Sequence, residues 1–323
     1  MKRREFIAGI GAAATLPVMA TGQQAKMPVL GYLHSGSPTG HRARVAAFRQ
    51  GLADMGYFDG QNISLEYRWA EDNFDRLPSL AKSLVERQVD VIAAAGGDVA
   101  VLAAKAATSA IPIVFAVGDD PVQQGIVASL NRPGGNLTGI TFLAVELRPK
   151  MVEFLREMLP NAKTIAILAN PNRSHFEERV TEVQRALSDA GLGARLIKAG
   201  NESEIEKTFS EMGQVDSVLI LSDPVYTSRS SQIARILLAR KLPSVSQRDI
   251  VVAGGLIGYG ANIEEAYRQA GAYSGRILRG EKPSDLPVLQ PTRFELVINL
   301  KTARVLGITV PATLLARADE VIE

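Results

Sequence analysis

Short apolar segments alternate with amphipathic segments along most of the chain. In the first half this pattern predicts strands at residues 27–33, 63–69, 89–95 and 111–117, and helices at 43–52, 75–88 and 99–109. The second half predicts strands at 164–169, 194–197, 215–221, 242–246 and 256–259, helices at 146–158, 175–190 and 228–240, and a further helix opened by a capping box at 203–206. Because the strands are apolar on both faces, we predict an α/β fold of two Rossmann-like lobes, each a parallel sheet flanked by helices.

Polar and small residues stand where several of the predicted strands end. Ligands of doubly wound sheets bind beyond the carboxyl ends of the strands. The candidates at these ends are Ser35, Gly97, Asp98, Asp119, Asn170 and Asp223. Each is a weak signal alone, but a set that converges from two lobes predicts a binding site.

A proline follows Asp120, Asn170 and Asp223, a pattern typical of a helix N-cap and its first helical residue. Capping is enough to explain Asp120 and Asn170. Asp119 is not needed as a cap and is therefore freer to bind a ligand, whereas Asp223 could cap a helix and still lie at the rim of a site.

Two aromatic residues are further candidates for the site. Trp69 is the only tryptophan and ends a predicted strand, where core packing, packing between lobes and a place in a cleft are all open. Tyr259 stands between Gly258 and Gly260, which indicates a close backbone approach or a hinge, with a simple turn as the alternative.

The first 22 residues have the layout of an export signal: a charged start, a short apolar run and small residues. Arg3 and Arg4 resemble a twin-arginine motif, and cleavage is expected near Ala20 or Gly22. Residues 9–14 (GIGAAA) fit a dinucleotide-binding fingerprint, but no strand precedes them and no acidic residue follows until Asp54. We therefore expect a periplasmic protein without a lipid anchor, since no cysteine follows the run; an uncleaved anchor is the alternative.

Composition excludes several kinds of chemistry. The chain has no cysteine, three histidines and a net charge of +2. Thiol catalysis and thiolate metal sites are thereby excluded, and no histidines have the spacing of a zinc site. There is no basic block or basic stripe with interleaved aromatics, so no nucleic-acid partner is expected.

Several longer motifs resemble those of one family. They are FRQGL at 48–52, EYRWAE at 66–71, IPIVF at 111–115, RPGGNLTG at 132–139, GGL at 254–256, QPT at 290–292 and ADEVI at 318–322. On these motifs, which extend over nearly all of the mature chain, the chain resembles the ABC-transporter substrate-binding proteins of the group that includes tryptophan- and tyrosine-type binders.

The resemblance implies the type I periplasmic binding-protein architecture with three interlobe crossovers, near residues 143, 259 and 290. Lobe one is then expected at 27–143 and 260–290, and lobe two at 144–259 and 291–323. The implied function is closure of the lobes on a small polar solute, such as an amino acid or aromatic amino acid, and its delivery to ABC permease membrane subunits. The resemblance implies no cofactor and no catalytic step, and we expect a monomer.

For an amino-acid ligand, we expect Ser35 and backbone N–H groups at helix starts to hold the carboxylate. Asp98, Asp119 or Asp223 would pair with the ammonium group. Many relatives carry Thr or Ser in the loop where this chain has Asp98, so the ligand class could differ here.

Two other classes of protein remain as alternatives. The sensor core of a transcription regulator shares this fold, but it would need a helix-turn-helix module before residue 27. A secreted α/β enzyme would need a nucleophile and a base, and the chain has no G-x-S-x-G motif.

Overall fold

Two β-sheets, each covered by helices on both faces, make up the computed structural model, which describes residues 27–142 and 147–323. The predicted export signal lies outside these residues, as does residue 143 at the first predicted crossover. The five-stranded sheet is all-parallel, and the seven-stranded sheet contains one antiparallel pair.

Sheet one has five parallel strands in the order β2-β1-β3-β4-β5. They are β1 (Val29–His34), β2 (Ser64–Trp69), β3 (Val91–Ala95), β4 (Ile113–Val117) and β5 (Leu137–Thr141). The helices on one face are α1 (Arg42–Asp54) and α10 (Ile263–Leu278), and those on the other are α2 (Leu77–Glu86) and α3 (Asp98–Ala107). This sheet and its four helices are lobe one.

Sheet two has seven strands in the order β12-β11-β10-β9-β8-β6-β7. They are β6 (Thr164–Ala169), β7 (Gly193–Lys198), β8 (Ser217–Ile220), β9 (Ser244–Ser246), β10 (Ile257–Ala261), β11 (Phe294–Asn299) and β12 (Glu320–Ile322). Its helices are α4 (Arg148–Met158), α5 (Phe176–Asp189), α6 (Glu202–Glu211), α7 (Pro224–Ser228), α8 (Ser230–Ala239), α9 (Arg248–Val252), α11 (Leu300–Leu306) and α12 (Ala312–Arg317). The sheet and these helices are lobe two. Its β10–β11 pair is antiparallel, so the prediction of parallel strands fails at this one pairing.

The central strands are buried along their whole length because both of their faces are covered by helices. All residues of β1, β3 and β4 are buried, and so are those of β8 and five of the six in β6. These strands carry the Val, Ile, Leu and Ala residues from which they were predicted, as expected for parallel strands between two helical layers.

Helices α1 and α10 pack unusually closely because each has a glycine at the contact. A Cβ atom on Gly51 would lie 1.8 Å from the carbonyl oxygen of Arg268, and one on Gly271 would lie 2.0 Å from that of Phe48. This close packing fixes the start of α10, which borders the cleft between the lobes.

Several local predictions differ from the structure. The helix predicted at 228–240 corresponds to α8, and the short helix α7, which precedes it with Arg229 between the two, was not predicted. The cap of α6 is Asn201, which accepts a hydrogen bond from the Glu204 backbone, so the capping box begins two residues earlier than predicted. Strands β5 and β11 were not predicted from periodicity.

The Asp-Pro and Asn-Pro sequences cap different structures. Asp223 is the N-cap of α7, with proline in the first turn, as predicted. Asp120 and Asn170 instead accept hydrogen bonds from the backbone two residues later, at 2.8 and 3.0 Å, and cap turns that do not continue as helices.

No helix among the described residues is both long and apolar enough to cross a membrane.

Candidate functional site

The carboxyl ends of the central strands of both sheets face each other across a cleft between the lobes. Lobe one contributes to this cleft the loops after β3 and β4 and the residue after β5. Lobe two contributes the loops after β6, β8 and β9. Because the ends of parallel strands lie at one edge of a sheet, residues far apart in sequence meet here.

Lobe one contributes two buried carboxylates. Asp98 is the first residue of α3 and is fully buried, where the helix N-terminus favours a negative charge. Asp119 follows β4, and 3% of its surface is exposed. Before Asp98, Gly97 has a left-handed φ of +97°, a conformation that L side chains rarely adopt.

Lobe two contributes three buried arginines and one carboxylate. Arg148 begins α4, Arg173 lies in the loop after β6, and Arg179 lies in the first turns of α5. The side chains of these arginines are between 4% and 9% exposed. The carboxylate is that of Asp223, whose pKa is raised because the side chain is buried. We call these three arginines, together with Asp98, Asp119 and Asp223, the charged cluster.

Ion pairs within the charged cluster join the two lobes. Arg179 Nη1 donates to Asp119 Oδ2 at 2.7 Å, and Arg148 Nη2 lies 3.6 Å from Asp119 Oδ1. Arg173 Nη2 lies 2.5 Å from Asp98 Oδ1, and its Nε lies 3.7 Å from Asp223 Oδ2. Guanidinium groups of lobe two are therefore inserted against carboxylates of lobe one.

Arg173 packs directly against the backbone of lobe one. A Cβ atom on Gly97 would lie 1.8 Å from Arg173 Nη1, so only a glycine leaves room for this guanidinium. Burial opposes the charge of Arg173, but the surrounding carboxylates, first Asp98 and then Asp223, raise its pKa. The arginine is therefore charged in the cleft.

Both donors and acceptors of the charged cluster retain unused hydrogen-bonding capacity. Within the described residues, Arg173 Nε and Nη1 donate no well-formed hydrogen bond, and Asp98 Oδ2, Asp119 Oδ1 and Asp223 Oδ2 accept none, whereas Asp98 Oδ1 is held in its ion pair with Arg173. Unpaired buried groups of this kind are destabilising unless something satisfies them. The cleft thus offers donors and acceptors side by side to a small polar molecule.

An apolar pocket adjoins the charged cluster on the side of β10 and β11. Its apolar wall is formed by Phe142, Leu147, Met151, Ile220, Leu221, Tyr259, Ile263 and Val297. The two spaces are adjacent, because they share the lining residues Phe142, Arg179, Ser222 and Ile263. A ligand could place a polar group in one and an apolar group in the other.

A second interlobe contact lies next to the charged cluster and has the opposite polarity. Arg44 of α1 donates to Asp249 of α9 at 2.7 Å and to Thr227 at 3.2 Å. Gln247 donates to the same Thr227 hydroxyl at 2.5 Å and accepts from Ser222 at 2.8 Å. Burial opposes the charge of Arg44, but Asp249 raises its pKa, so this pair also joins the lobes as ions.

The structure brings together four of the predicted site residues: Gly97, Asp98, Asp119 and Asp223. Asn170 is adjacent, since its side chain donates to Asp223 at 3.2 Å and thereby orients that carboxylate. Tyr259 lines the apolar pocket and packs edge-on against Phe154.

The two remaining candidates have other contacts. The Ser35 hydroxyl donates to the carbonyl of Gly96, so it supports the turn that presents Gly97. Trp69 packs in an aromatic cluster of lobe one with Tyr32 and His34, at ring separations of 5.6 and 4.9 Å. It also lines a groove beside α1, away from the charged cluster.

The three arginines were missed by the sequence reasoning. Arg148 and Arg179 lie on amphipathic helices, where arginine is usually a solvated residue, and Arg173 lies in a polar loop. The only local signal for a site residue was the position of Arg173, three residues after Asn170, which follows β6.

The histidines take no part in a metal site. Burial lowers the pKa of His41 to about 3 and lowers that of His34 as well, so both are neutral packing residues. His175 contacts Glu178 at 2.6 Å on an exposed face. Among the described residues, no group of three or more His, Asp or Glu side chains has a metal-binding arrangement.

Comparisons with known proteins agree with this geometry. Residues 37–322 match the family model described as ABC transporter substrate binding protein. A tyrosine-binding protein from Clostridioides difficile (strain R20291) is 28% identical over 262 residues, covering 80% of this chain and 75% of the relative.

Two solved structures are informative as a pair. The ABC domain in complex with L-Trp from Streptococcus pneumoniae is 27% identical, covers 91% of this chain and 99% of its own, and superposes with a TM-score of 0.82. A ligand-free, open substrate-binding protein with adhesive properties from Clostridium difficile is 25% identical at the same coverage of 91% and 99%, but its TM-score is 0.64.

Proposed function

Because the chain belongs to the ABC transporter substrate-binding protein family, whose members bind solutes outside the cytoplasm, we propose that it binds an aromatic amino acid between its lobes and delivers it to the membrane subunits of an ABC importer. The observation that carries this proposal is the charged cluster, in which buried donors and acceptors without partners lie beside an apolar pocket.

The balance of charge in the cluster favours a zwitterion. The three buried arginines and three buried aspartates give a formal charge of zero, and Glu182, which also pairs with Arg148, is 46% exposed and so remains hydrated. A ligand with only an ammonium or only a carboxylate group would add an uncompensated buried charge, which is unfavourable. An amino acid adds one charge of each sign and leaves the site neutral.

Each end of the zwitterion has candidate partners. Arg148, Arg173 and Arg179 offer donors to the α-carboxylate, because guanidinium groups match the geometry of carboxylates. Asp98 and Asp223 offer acceptors to the α-ammonium group. The arginines thus take the role that the sequence had assigned to Ser35 and helix N-termini.

The apolar pocket supports an aromatic side chain. Phe142 and Tyr259 supply aromatic faces, and the remaining apolar wall is aliphatic. Rings prefer such surroundings, since aromatic pairs gain about 0.5–1.5 kcal/mol beyond simple burial. Tyrosine and L-Trp, the ligands of the two relatives, have side chains of this class.

The arrangement of the lobes supports closure as the binding motion. We propose that the units 27–143 with 260–290 and 144–259 with 291–323 move as two bodies about the three crossovers. Ion pairs from Arg44, Arg173 and Arg179 join the lobes. The higher TM-score against the L-Trp complex than against the open relative supports reading this arrangement as closed.

The remaining assignments follow from the family and the sequence. We propose a monomeric, non-catalytic protein that reaches the periplasm through the twin-arginine route and loses its signal near Ala20 or Gly22. Replacing Arg3 and Arg4 by lysine should leave precursor in the cytoplasm. Unchanged recovery from the periplasm would exclude that route and leave general secretion.

The central experiment is calorimetric titration of the ligand-free protein with L-tryptophan, L-tyrosine and L-phenylalanine. At least one should bind saturably and be recovered unchanged. Indole-3-propionate, which lacks the ammonium group, and tryptamine, which lacks the carboxylate, should bind at least 100-fold more weakly than L-tryptophan, because each leaves buried partners unpaired.

Two controls complete the experiment. The radius of gyration from small-angle scattering should fall when the bound amino acid is present, and identical curves would contradict closure. Absence of saturable binding to every aromatic amino acid would refute the assigned ligand class, and mass spectrometry of the solute co-purified from the host would then identify the correct one.

A further inference from the structure

A strained loop of lobe one carries an acidic residue into the interface between the lobes. Glu71 and Asp72, which follow β2, have left-handed φ values of 56° and 66°. Such conformations are unfavourable for residues other than glycine, with Asp and Asn among the more tolerant. Backbone hydrogen bonds hold the loop to the end of β1: the Asp72 N–H donates to Ser35 at 2.9 Å and that of Glu71 to Gly36 at 3.1 Å.

The strain places the Asp72 side chain in a poor environment for a charge. Only 8% of the side chain is exposed, and neither carboxylate oxygen is in a well-formed hydrogen bond with the described residues. Its nearest cation is Arg229 of lobe two, at 3.9 Å. That arginine is already paired with Glu202 at 2.7 Å. The ionised carboxylate is therefore desolvated without full compensation.

The charged groups that face Asp72 come mostly from lobe two. Arg229 favours its ionised form, whereas Asp223 and Glu202 disfavour it, and the Ser228 hydroxyl is nearby. Glu71, in the same loop as Asp72, is ion-paired with Arg76, with 3.3 Å between Glu71 Oε2 and Arg76 Nη1. Burial is the largest influence, and the pKa of Asp72 is raised to about 6.

We propose that Asp72 is a proton-dependent latch: the closed arrangement takes up a proton at this carboxyl group, so that acidification favours closed over open lobes. The protonated acid is neutral and can donate a hydrogen bond in the interface. When the lobes separate, lobe two no longer covers the side chain, and the carboxylate returns to water. The proposal rests on the closure that the proposed function includes, and it does not depend on the identity of the ligand.

The direction and size of the effect follow from linkage. Asp72 titrates near its ordinary value of 3.8 when open and at about 6 when closed. The closed form therefore binds the proton more tightly, and the closed-to-open ratio rises as pH falls through 6. Between pH 7.5 and pH 5 this ratio should increase about tenfold.

The experiment measures closure in the ligand-free protein. The chain contains no cysteine, so Lys82→Cys on α2 and Lys207→Cys on α6, both exposed, can carry a dye pair without competing thiols. Energy transfer between the dyes reports the distance between the lobes from pH 7.5 to pH 5. We expect the closed population to rise on acidification.

Two variants isolate the carboxyl group. Asp72→Asn keeps the shape, suits the left-handed backbone and resembles the fully protonated acid, so the lobes should be more closed at pH 7.5 than those of the parent are at pH 5. Glu71→Gln changes the neighbouring acid of the same loop and should keep the pH dependence of the parent.

The outcomes are decisive in either direction. An interlobe distance that is constant with pH in the parent, or pH dependence that persists in Asp72→Asn, would overturn the latch; the second result would point to Asp223 instead. With L-tryptophan as the probe, affinity should be about tenfold higher at pH 5 than at pH 7.5 in the parent and in Glu71→Gln, but not in Asp72→Asn. Absence of binding of L-tryptophan, L-tyrosine and L-phenylalanine at both pH values would refute the proposed ligand class and leave the dye measurement to judge the latch.

Discussion

The two faces of the cleft carry opposite charges. Lobe one presents carboxylates, whereas lobe two presents mainly guanidinium groups. The carboxylates are those of Asp72, Asp98 and Asp119, and the guanidinium groups are those of Arg148, Arg173, Arg179 and Arg229. Because both sets lose water when the lobes meet, each needs the other to offset its desolvation. The two faces are thus complementary before any ligand is bound.

Two exceptions to this division are instructive. Asp223 is an acid on the face of lobe two, where it lies against Arg173 of the same lobe. The Arg44–Asp249 pair reverses the polarity, with the cation on lobe one. Because positive and negative groups alternate on each face, the lobes can dock favourably in only one relative position. A shifted arrangement would place like charges next to each other.

The largest effect is expected at Asp119, where three arginines of lobe two, Arg148, Arg173 and Arg179, meet one carboxylate of lobe one. Asp119→Asn leaves Arg179 without its carboxylate partner, whereas Arg148 keeps its ion pair with Glu182, and the loss of one charged partner from a buried pair costs about 2–5 kcal/mol. Calorimetry should show L-tryptophan binding weakened at least 30-fold. Asp120→Asn is the matched control, because asparagine can accept the same turn hydrogen bond. Normal affinity of Asp119→Asn would show that the carboxylate is structural.

Gly97→Ala tests whether lobe one must leave space for Arg173. The new methyl group would displace the guanidinium from Asp98 in the closed state only, and we expect affinity for L-tryptophan to fall about tenfold. Gly125→Ala is the control, since its φ is also left-handed (+64°) but its Cβ would meet nothing within 4 Å. Equal losses of affinity in both variants would attribute the effect to backbone strain instead of to the cleft.

The reversed pair should have a smaller effect. A double-mutant cycle with Arg44→Gln and Asp249→Asn should give a coupling of about 1 kcal/mol in ligand binding, or about fivefold, because Asp249 is 27% exposed and partly hydrated. The coupling should be absent from the unfolding of the open form. Additive effects on binding would remove this contact from the closing mechanism.

The smallest effect is expected for ion pairs outside the cleft. Arg235 and Glu206 lie within lobe two, 3.1 Å apart, and both side chains are more than half exposed. Arg235→Gln should change neither L-tryptophan affinity nor the melting temperature measurably, because such pairs contribute little to stability. A clear loss of affinity would mean that charge acts over the whole lobe surface and not only at the interface.

The pattern along the chain was sufficient to predict the layered α/β architecture. Continuous apolar runs such as β4 can only be satisfied between two layers of helices, and that requirement is local. Strands β5 and β11 escaped prediction because Thr138, Thr141, Glu295 and Asn299 interrupt their apolar pattern. Their neighbours in the sheets, which no local window contains, stabilise them.

The sequence by itself determined where the acids of the site would be, because strand ends can be read from the apolar pattern and Asp98, Asp119 and Asp223 follow them directly. Only the tertiary structure decided which cations meet them. Arg179 is 60 residues from Asp119, and on an amphipathic helix it has the pattern of a solvated side chain. Its burial is a property of the second lobe docking on the first, and no feature of a single helix or strand encodes that contact.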